Sequence, residues 1–453
     1  MEIHVVQPGE SLYRIAAHYG VPPAALLREN ERADPNRLTP GECLLVPEKG
    51  RMHTVRRGET LASVARQEGT DERTLLRHNS YLAGQERLTP GQTLALGGKA
   101  RRLAVLGGVP RNADARTLRR VLPYLDYLAV QTFGFDRTGR VSAAHAEIPV
   151  RLAHRYGAKA VFVLTAQDGD GLLSSEAAHR VTADEDLRET LARSAAQNAE
   201  AGEWDGVLLD LAYLPGEDRA ALSALVREMK ARLGGKQLLV ALPGTESPAH
   251  DLRALGEAAD LCVLANASAA HAKPGPAADI GALCRAVKKA VREIPPGKLL
   301  CGLASGGWQW ALPWREGQQA RPLGGAAAAE QAVLAGAPIR FDERSQTAHY
   351  NFWRGGTEQE VWFEDARSYR SKCALTAEFR LGGVAVMDAV HRNSALWADL
   401  CPRGGVFRPR RAGAFCAAFG GGRVHAAACG GGPAAGHCKR GDRTPGLASR
   451  FRP

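Results

Sequence analysis

Carboxylates and aromatic rings at the ends of apolar strands are the groups with which this chain could move a proton or hold a sugar. The clearest run is Asp205-Gly206-Val207-Leu208-Leu209-Asp210-Leu211-Ala212-Tyr213-Leu214-Pro215, an apolar strand that closes on Asp210. Read alone, Asp210 is a buried carboxylate hydrogen-bonded at a strand end. Glu203 precedes that strand at its opposite end. Glu217 and Asp218 open the next helix, where an acid is a favourable partner for the helix dipole. Trp308, Trp310 and Trp314 offer faces on which sugars stack, or rings that fill core and rim. Metal chemistry has little support: Cys43, Cys262, Cys284, Cys301 and Cys373 are scattered, the other four cysteines crowd the last 53 residues, and no C-x-x-C occurs. Neither a disulfide framework, a metal site nor a cofactor is expected.

The elements that position these groups alternate. Strand patterns cover Leu103 to Val109, Tyr127 to Phe135, Ala158 to Leu164, Gly206 to Leu211, Gln237 to Leu242, Leu261 to Leu264, Leu299 to Leu303 and Gly383 to Met387. Helical patterns lie between them, at Asp184 to Asn198, Asp218 to Leu233, Ile280 to Arg292 and Ala366 to Phe379. Eight such units in about 300 residues predict a (β/α)8 barrel of the TIM type over 101–398, with an inserted hairpin at Ile339 to Phe363. No Gly-rich phosphate fingerprint follows the first strand. Barrel sites gather at the C-terminal ends of strands, which is where Asp210 lies.

With 453 residues, 24% charged and 45% hydrophobic, the chain is an ordinary multidomain α/β protein. Its net charge of +11 would suggest nucleic acid, but residues 401–453 hold ten Lys/Arg against one acid, leaving +2 for the rest. No nucleic-acid partner is expected. No stretch reads as a membrane span, and a polar pattern begins within three residues of Met1, so no signal peptide is expected. The 401–453 segment has twelve Gly and nine Arg without hydrophobic periodicity. It reads as disordered, either a basic arm or the product of a GC-rich gene read out of frame.

The N-terminus contains an internal repeat. His4, Val6, Gly9, Glu10, Leu12, Ala16, Leu26, Leu27, Arg28 and Asn30 recur 49 residues later, and Arg37-Leu38-Thr39-Pro40-Gly41 recurs as Arg87-Leu88-Thr89-Pro90-Gly91. Each copy reads as strand, helix, helix, strand, with Ser11 or Thr60 as N-cap. The motif V-x-x-G-E-[ST]-L, the Asn after the second helix and the L-T-P-G turn resemble the LysM family, over residues 1–48 and 51–97. That resemblance implies binding of peptidoglycan or another N-acetylglucosamine polymer in a shallow groove between two loops. In the first copy these are Gly9, Glu10, Ser11 and Leu12 facing Leu38, Thr39, Pro40 and Gly41. In the second they are Gly58, Glu59, Thr60 and Leu61 facing Leu88, Thr89, Pro90 and Gly91. Individually, the glycines and prolines also read as turn formers.

The Asp205 to Tyr213 run, Trp310-x-Leu312-Pro313, the Glu360 to Ser368 run and Leu381-Gly382-Gly383 resemble glycoside hydrolase family 18, in particular spore-cortex glucosaminidases with two N-terminal LysM modules. The resemblance implies a substrate-assisted retaining reaction, in which the sugar's acetamido oxygen attacks its own anomeric carbon. It assigns Asp210 to orienting that group, and a Glu two residues on to protonating the departing oxygen. That position is Ala212, and a methyl group has no proton to give. The family's tyrosine after the sixth strand falls on Ala267, and its tryptophan after the eighth on Met387. Trp310 is carried over as a sugar contact.

The expectation is a glycan-binding protein of the spore envelope or cell wall whose family-18-like barrel has lost hydrolysis. The alternatives are an active N-acetylglucosaminidase, a structural coat protein, or a plain cytoplasmic location.

Overall fold

The computed structural model describes residues 2–30, 34–47, 51–82, 87–96, 103–142, 146–168, 171–211, 213–265, 273–276, 278–390 and 394–400. In the first N-terminal copy, β1 (Glu2–Val5) pairs antiparallel with β2 (Cys43–Val46) beside α1 (Leu12–Tyr19) and α2 (Pro23–Glu29). The second repeats this with β3 (Met52–Thr54), α3 (Leu61–Gln67), α4 (Glu72–His78) and β4 (Thr93–Ala95). Helical spacing puts Leu12, Ile15 and Ala16 against Leu26 in one core, and Leu61, Val64 and Ala65 against Leu75 in the other. The Ser11 hydroxyl accepts from the Arg14 N–H, and Thr60 forms a capping box with Ser63. Asn closes both copies for one reason. The Asn30 side chain donates to the carbonyls of Leu26 and Leu45 and accepts from the Leu45 N–H, and Asn79 does the same with Leu75 and Ala95. Helix end and closing strand are thus tied by one amide.

Beyond the repeat, β5 (Ala104–Val109), β6 (Tyr127–Phe135), β7 (Lys159–Ala166), β8 (Gly206–Leu209), β9 (Gln237–Leu242), β10 (Leu261–Leu264), β11 (Leu299–Leu303) and a final strand (Gly383–Val386) close a parallel barrel. Around it lie α5 (Ala115–Val121), α6 (Glu147–Arg155), α7 (Ser175–Ala183), α8 (Glu185–Ala201), α9 (Arg219–Leu233), α10 (Leu252–Ala258) and α11 (Ile280–Ala290). Among the described residues no helix is long and apolar enough to cross a membrane. The interior is filled by Leu106, Ala129, Val161, Val163, Leu208, Leu239, Val263, Leu300 and Ala385, so the barrel is a packed core and not a pore. Outside it, Trp204 meets Phe133 and Phe162 edge to face between strands and helices.

An aspartate sits just before each of β6, β8 and β10, at the end of the barrel away from the site. Asp126, Asp205 and Asp260 each grip one residue of the preceding strand twice. The backbone N–H of each donates to the carbonyl of Val105, Ala160 or Leu238, and its carboxylate accepts the N–H of that same residue at 2.7–3.0 Å. The carboxylate supplies the acceptor that the irregular strand start lacks.

The insertion is larger than the hairpin expected from the sequence. It begins at Gly306 and folds as a five-stranded antiparallel sheet of β12 (Gly306–Leu312), β13 (Arg321–Gly324), β14 (Arg340–Asp342), β15 (Thr347–Arg354) and β16 (Thr357–Phe363), covered by α12 (Gly325–Leu334). Its start escapes a reading by alternation because Gly306-Gly307 carries no side chains and Trp308 and Trp310 are apolar on the face opposite α12. The chain then returns through α13 (Ala366–Glu378) to the last barrel strand, β17 (Gly383–Val386), and α14 (Ser394–Leu400).

Candidate functional site

A strand's period of two carries the inward-facing residues one step above the packed interior to Gly108, Gln131, Thr165, Asp210, Ala241, Ala265, Gly302 and Met387. This ring, at the C-terminal end of the barrel, is small and neutral except for one carboxylate. Asp210 follows Leu208 by two residues, and its backbone N–H donates to the Leu164 carbonyl at 3.0 Å. Among the described residues no group donates to its carboxylate, which departs from the hydrogen-bonded strand end expected. Burial alone pushes its carboxyl above the usual range. Met387 caps the interior, with its carbonyl accepting from the Gln131 amide. Ala212 and Ala267, and the segment 401–453, lie outside the described residues.

The other nearby acids have their own partners. Asp218 is buried and accepts from His179 Nδ1 at 2.8 Å, and Glu217 is exposed, with its carboxylate 4.0 Å from the same ring. The hydrogen bond with Asp218 holds His179 protonated above its ordinary range. Glu203 lies at the opposite end of the strand in a left-handed turn.

Trp310 does not offer a face to a sugar: it is 1% exposed, and its indole N–H has no partner among the described residues. It projects from β12 on the side of the sheet opposite α12. That side carries a row the sequence reading missed. Trp308 is in register with Trp362, and Trp362 with His349, whose ring stacks on it at 4.4 Å. Glu360 accepts from the Trp362 indole at 2.7 Å, and Trp353 is 72% exposed. The signal was the spacing of Trp308, His349 and Trp362, which becomes a surface only once three strands pair.

In both N-terminal modules the Gly-Glu turn is held from within. Glu10 accepts from the Gln7 N–H and from His4, and Glu59 from the Arg56 N–H and from His53. These bonds hold both carboxyls below the usual range, the backbone N–H first. Glu10 and Glu59 therefore act as turn clamps, while Gly9 and Gly58 supply the positive φ the turn needs. Ser11 and Thr60 are committed as caps, and Leu12 and Leu61 are core residues. The facing loops differ. Thr89, Pro90 and Gly91 are exposed, whereas Thr39 is 2% exposed and Pro40 and Gly41 are half-covered; Leu88 and Leu38 are both half-buried against their own module's core.

Two family models cover these regions. The LysM domain matches residues 4–47 and 53–97, and glycosyl hydrolases family 18 matches residues 169–389. The chain carries two LysM domains and a glycosyl hydrolase family 18 domain. A cortical fragment-lytic enzyme of Bacillus anthracis is 27% identical over 404 residues, covering 85% of this chain and 94% of that protein. The crystal structure of the Bacillus cereus spore cortex-lytic enzyme SleL superposes with a TM-score of 0.74 at 25% identity, over 89% of this chain and 98% of that one. A chitinase from Chromobacterium violaceum shares the fold of the family 18 domain, at a TM-score of 0.60 and 22% identity over 66% of this chain. Asp210 lies within the family 18 match, and all four LysM loops lie within the LysM matches.

Proposed function

We propose that this protein binds peptidoglycan or related N-acetylglucosamine polymers of the spore envelope or cell wall, and that its family 18 domain holds such glycans without cleaving them. The observation that carries the second half is that Asp210 is the one carboxylate among the described residues of the rim layer. Substrate-assisted cleavage needs one group to hold the acetamido and a second to give a proton to the departing oxygen. Asp210 fits the first role: it faces inward, has no competing donor among the described residues, and can accept an acetamido N–H. At the second position the chain has Ala212, while Glu217 and Asp218 face His179. Alanine at 267 and methionine at 387 also remove a hydroxyl and an aromatic floor.

The first half rests on the two LysM domains and on relatives named for cortex lysis. The test is incubation of the full chain with purified muropeptides, following retention and new reducing ends together. Retention without new ends is the expected result. Turnover by the unaltered chain that disappears in Asp210→Asn would instead establish an active N-acetylglucosaminidase using another acid.

A further inference from the structure

The two LysM domains carry the same L-T-P-G turn in different surroundings. In the first domain that turn is a bearing surface for the inserted sheet. The Thr39 hydroxyl donates to the Ala337 carbonyl at 2.9 Å, and the Pro40 carbonyl accepts from the Ile339 N–H at 2.9 Å. A Cβ at Gly41 would fall 1.7 Å from the Ile339 oxygen. Arg367, from the start of α13, donates to the Gly41 carbonyl at 3.1 Å while bound to Asp365, and the Cys43 thiol donates to Asp365 at 3.3 Å. Leu45 packs on Ala366.

The second domain meets the barrel through another face. From α4, Arg73 donates to the carbonyls of Pro123 and Gly157 and pairs with Asp126, and Arg77 donates to the Pro123 carbonyl at 2.5 Å. Its own turn is left alone: Thr89, Pro90 and Gly91 are exposed, and a Cβ at Gly91 would meet nothing within 4 Å.

We infer that only the second LysM domain takes the glycan, and that the corresponding wall of the first serves to seat the inserted sheet. This rests on the glycan-binding reading above. A sugar cannot lie against Thr39, Pro40 and Gly41 while Ala337, Ile339 and Arg367 occupy their polar groups, since it would have to displace three hydrogen bonds and a packed backbone. The repeat therefore provides one site and one joint, and not two sites acting through avidity.

Hydrogen exchange of the full chain, with and without the N-acetylglucosamine hexamer, separates the possibilities. Protection is expected in 56–61 and 87–92, with none added in 7–12. Equal added protection of 7–12 would overturn the inference while leaving LysM binding in place. Absence of protection in both LysM domains would remove the reading that the LysM domains bind glycan, on which this inference rests. In parallel, Thr89→Arg in the full chain is expected to weaken hexamer binding at least tenfold by calorimetry; an unchanged affinity would overturn the inference.

Discussion

The Ile339 N–H donates to the Pro40 carbonyl at 2.9 Å, joining the inserted sheet to a turn some three hundred residues earlier in the chain. Gly41 beside it and Gly91 in the second domain share nearly the same φ, +82° and +83°. Alanine at either position bears the left-handed backbone cost of about 1–2 kcal/mol. Gly41→Ala must also push Ile339 away, so it should lower the urea midpoint clearly more than Gly91→Ala. Equal losses would mean that the contact bears no load in solution.

His53 lies between Glu59 and Glu68, and the hydrogen bond to Glu59 leads in raising its pKa. A raised folded-state value means that the stabilisation is complete below the unfolded value, about 6.5, and is lost as pH rises through the folded value. The second LysM domain should therefore lose stability as pH rises above about 6.5. In His53→Gln that slope should flatten, as read from exchange rates of amides in α3 and β4.

Lys372 and Glu364 are both fully buried and bonded to each other, with burial pushing Glu364 up to about 7. Lys372→Met alone strands a buried acid and should cost about 3–5 kcal/mol at pH 8. Lys372→Met with Glu364→Leu should recover most of that loss. If the double variant is as unstable as the single in chemical denaturation, the pair is not the cause.

Wild-type protein should release no reducing ends from muropeptides, since loss of a general acid alone costs about 10²- to 10⁴-fold. Ala212→Glu should restore little, because the sugar must also be held in place. Adding Ala267→Tyr and Met387→Trp should do distinctly better. Full activity from Ala212→Glu alone would show that other residues already provide that hold.

Most of the barrel was legible because its strands are short apolar runs between amphipathic helices, and β6, β9, β10 and β11 start and end where the pattern places them. The modules were legible because a repeat states each element twice. What escaped is contact between distant segments. Nothing local in Leu38-Thr39-Pro40-Gly41 distinguishes it from its copy; the difference lies in Ala337 and Ile339, which exist as neighbours only after the fold forms. Trp310 escaped for a related reason: its type suits a sugar platform, but the packing on its side of β12 decides its exposure. The inward placement of Asp210 was readable, because a strand's alternation projects it from the same face as Leu208.

The clasps of Asp126, Asp205 and Asp260 on Val105, Ala160 and Leu238 lie at the end of the barrel remote from Asp210. These clasps thus reinforce the strand ladder at one end, and the rim layer that holds Asp210 lies at the other. A rim residue can be exchanged without disturbing any of these six bonds. Lineages of this architecture can therefore discard or acquire a reaction by point changes at the mouth, and the scaffold itself registers no loss. For the protein engineer, the same division makes the mouth the place to install new chemistry and the clasped end the place to leave untouched.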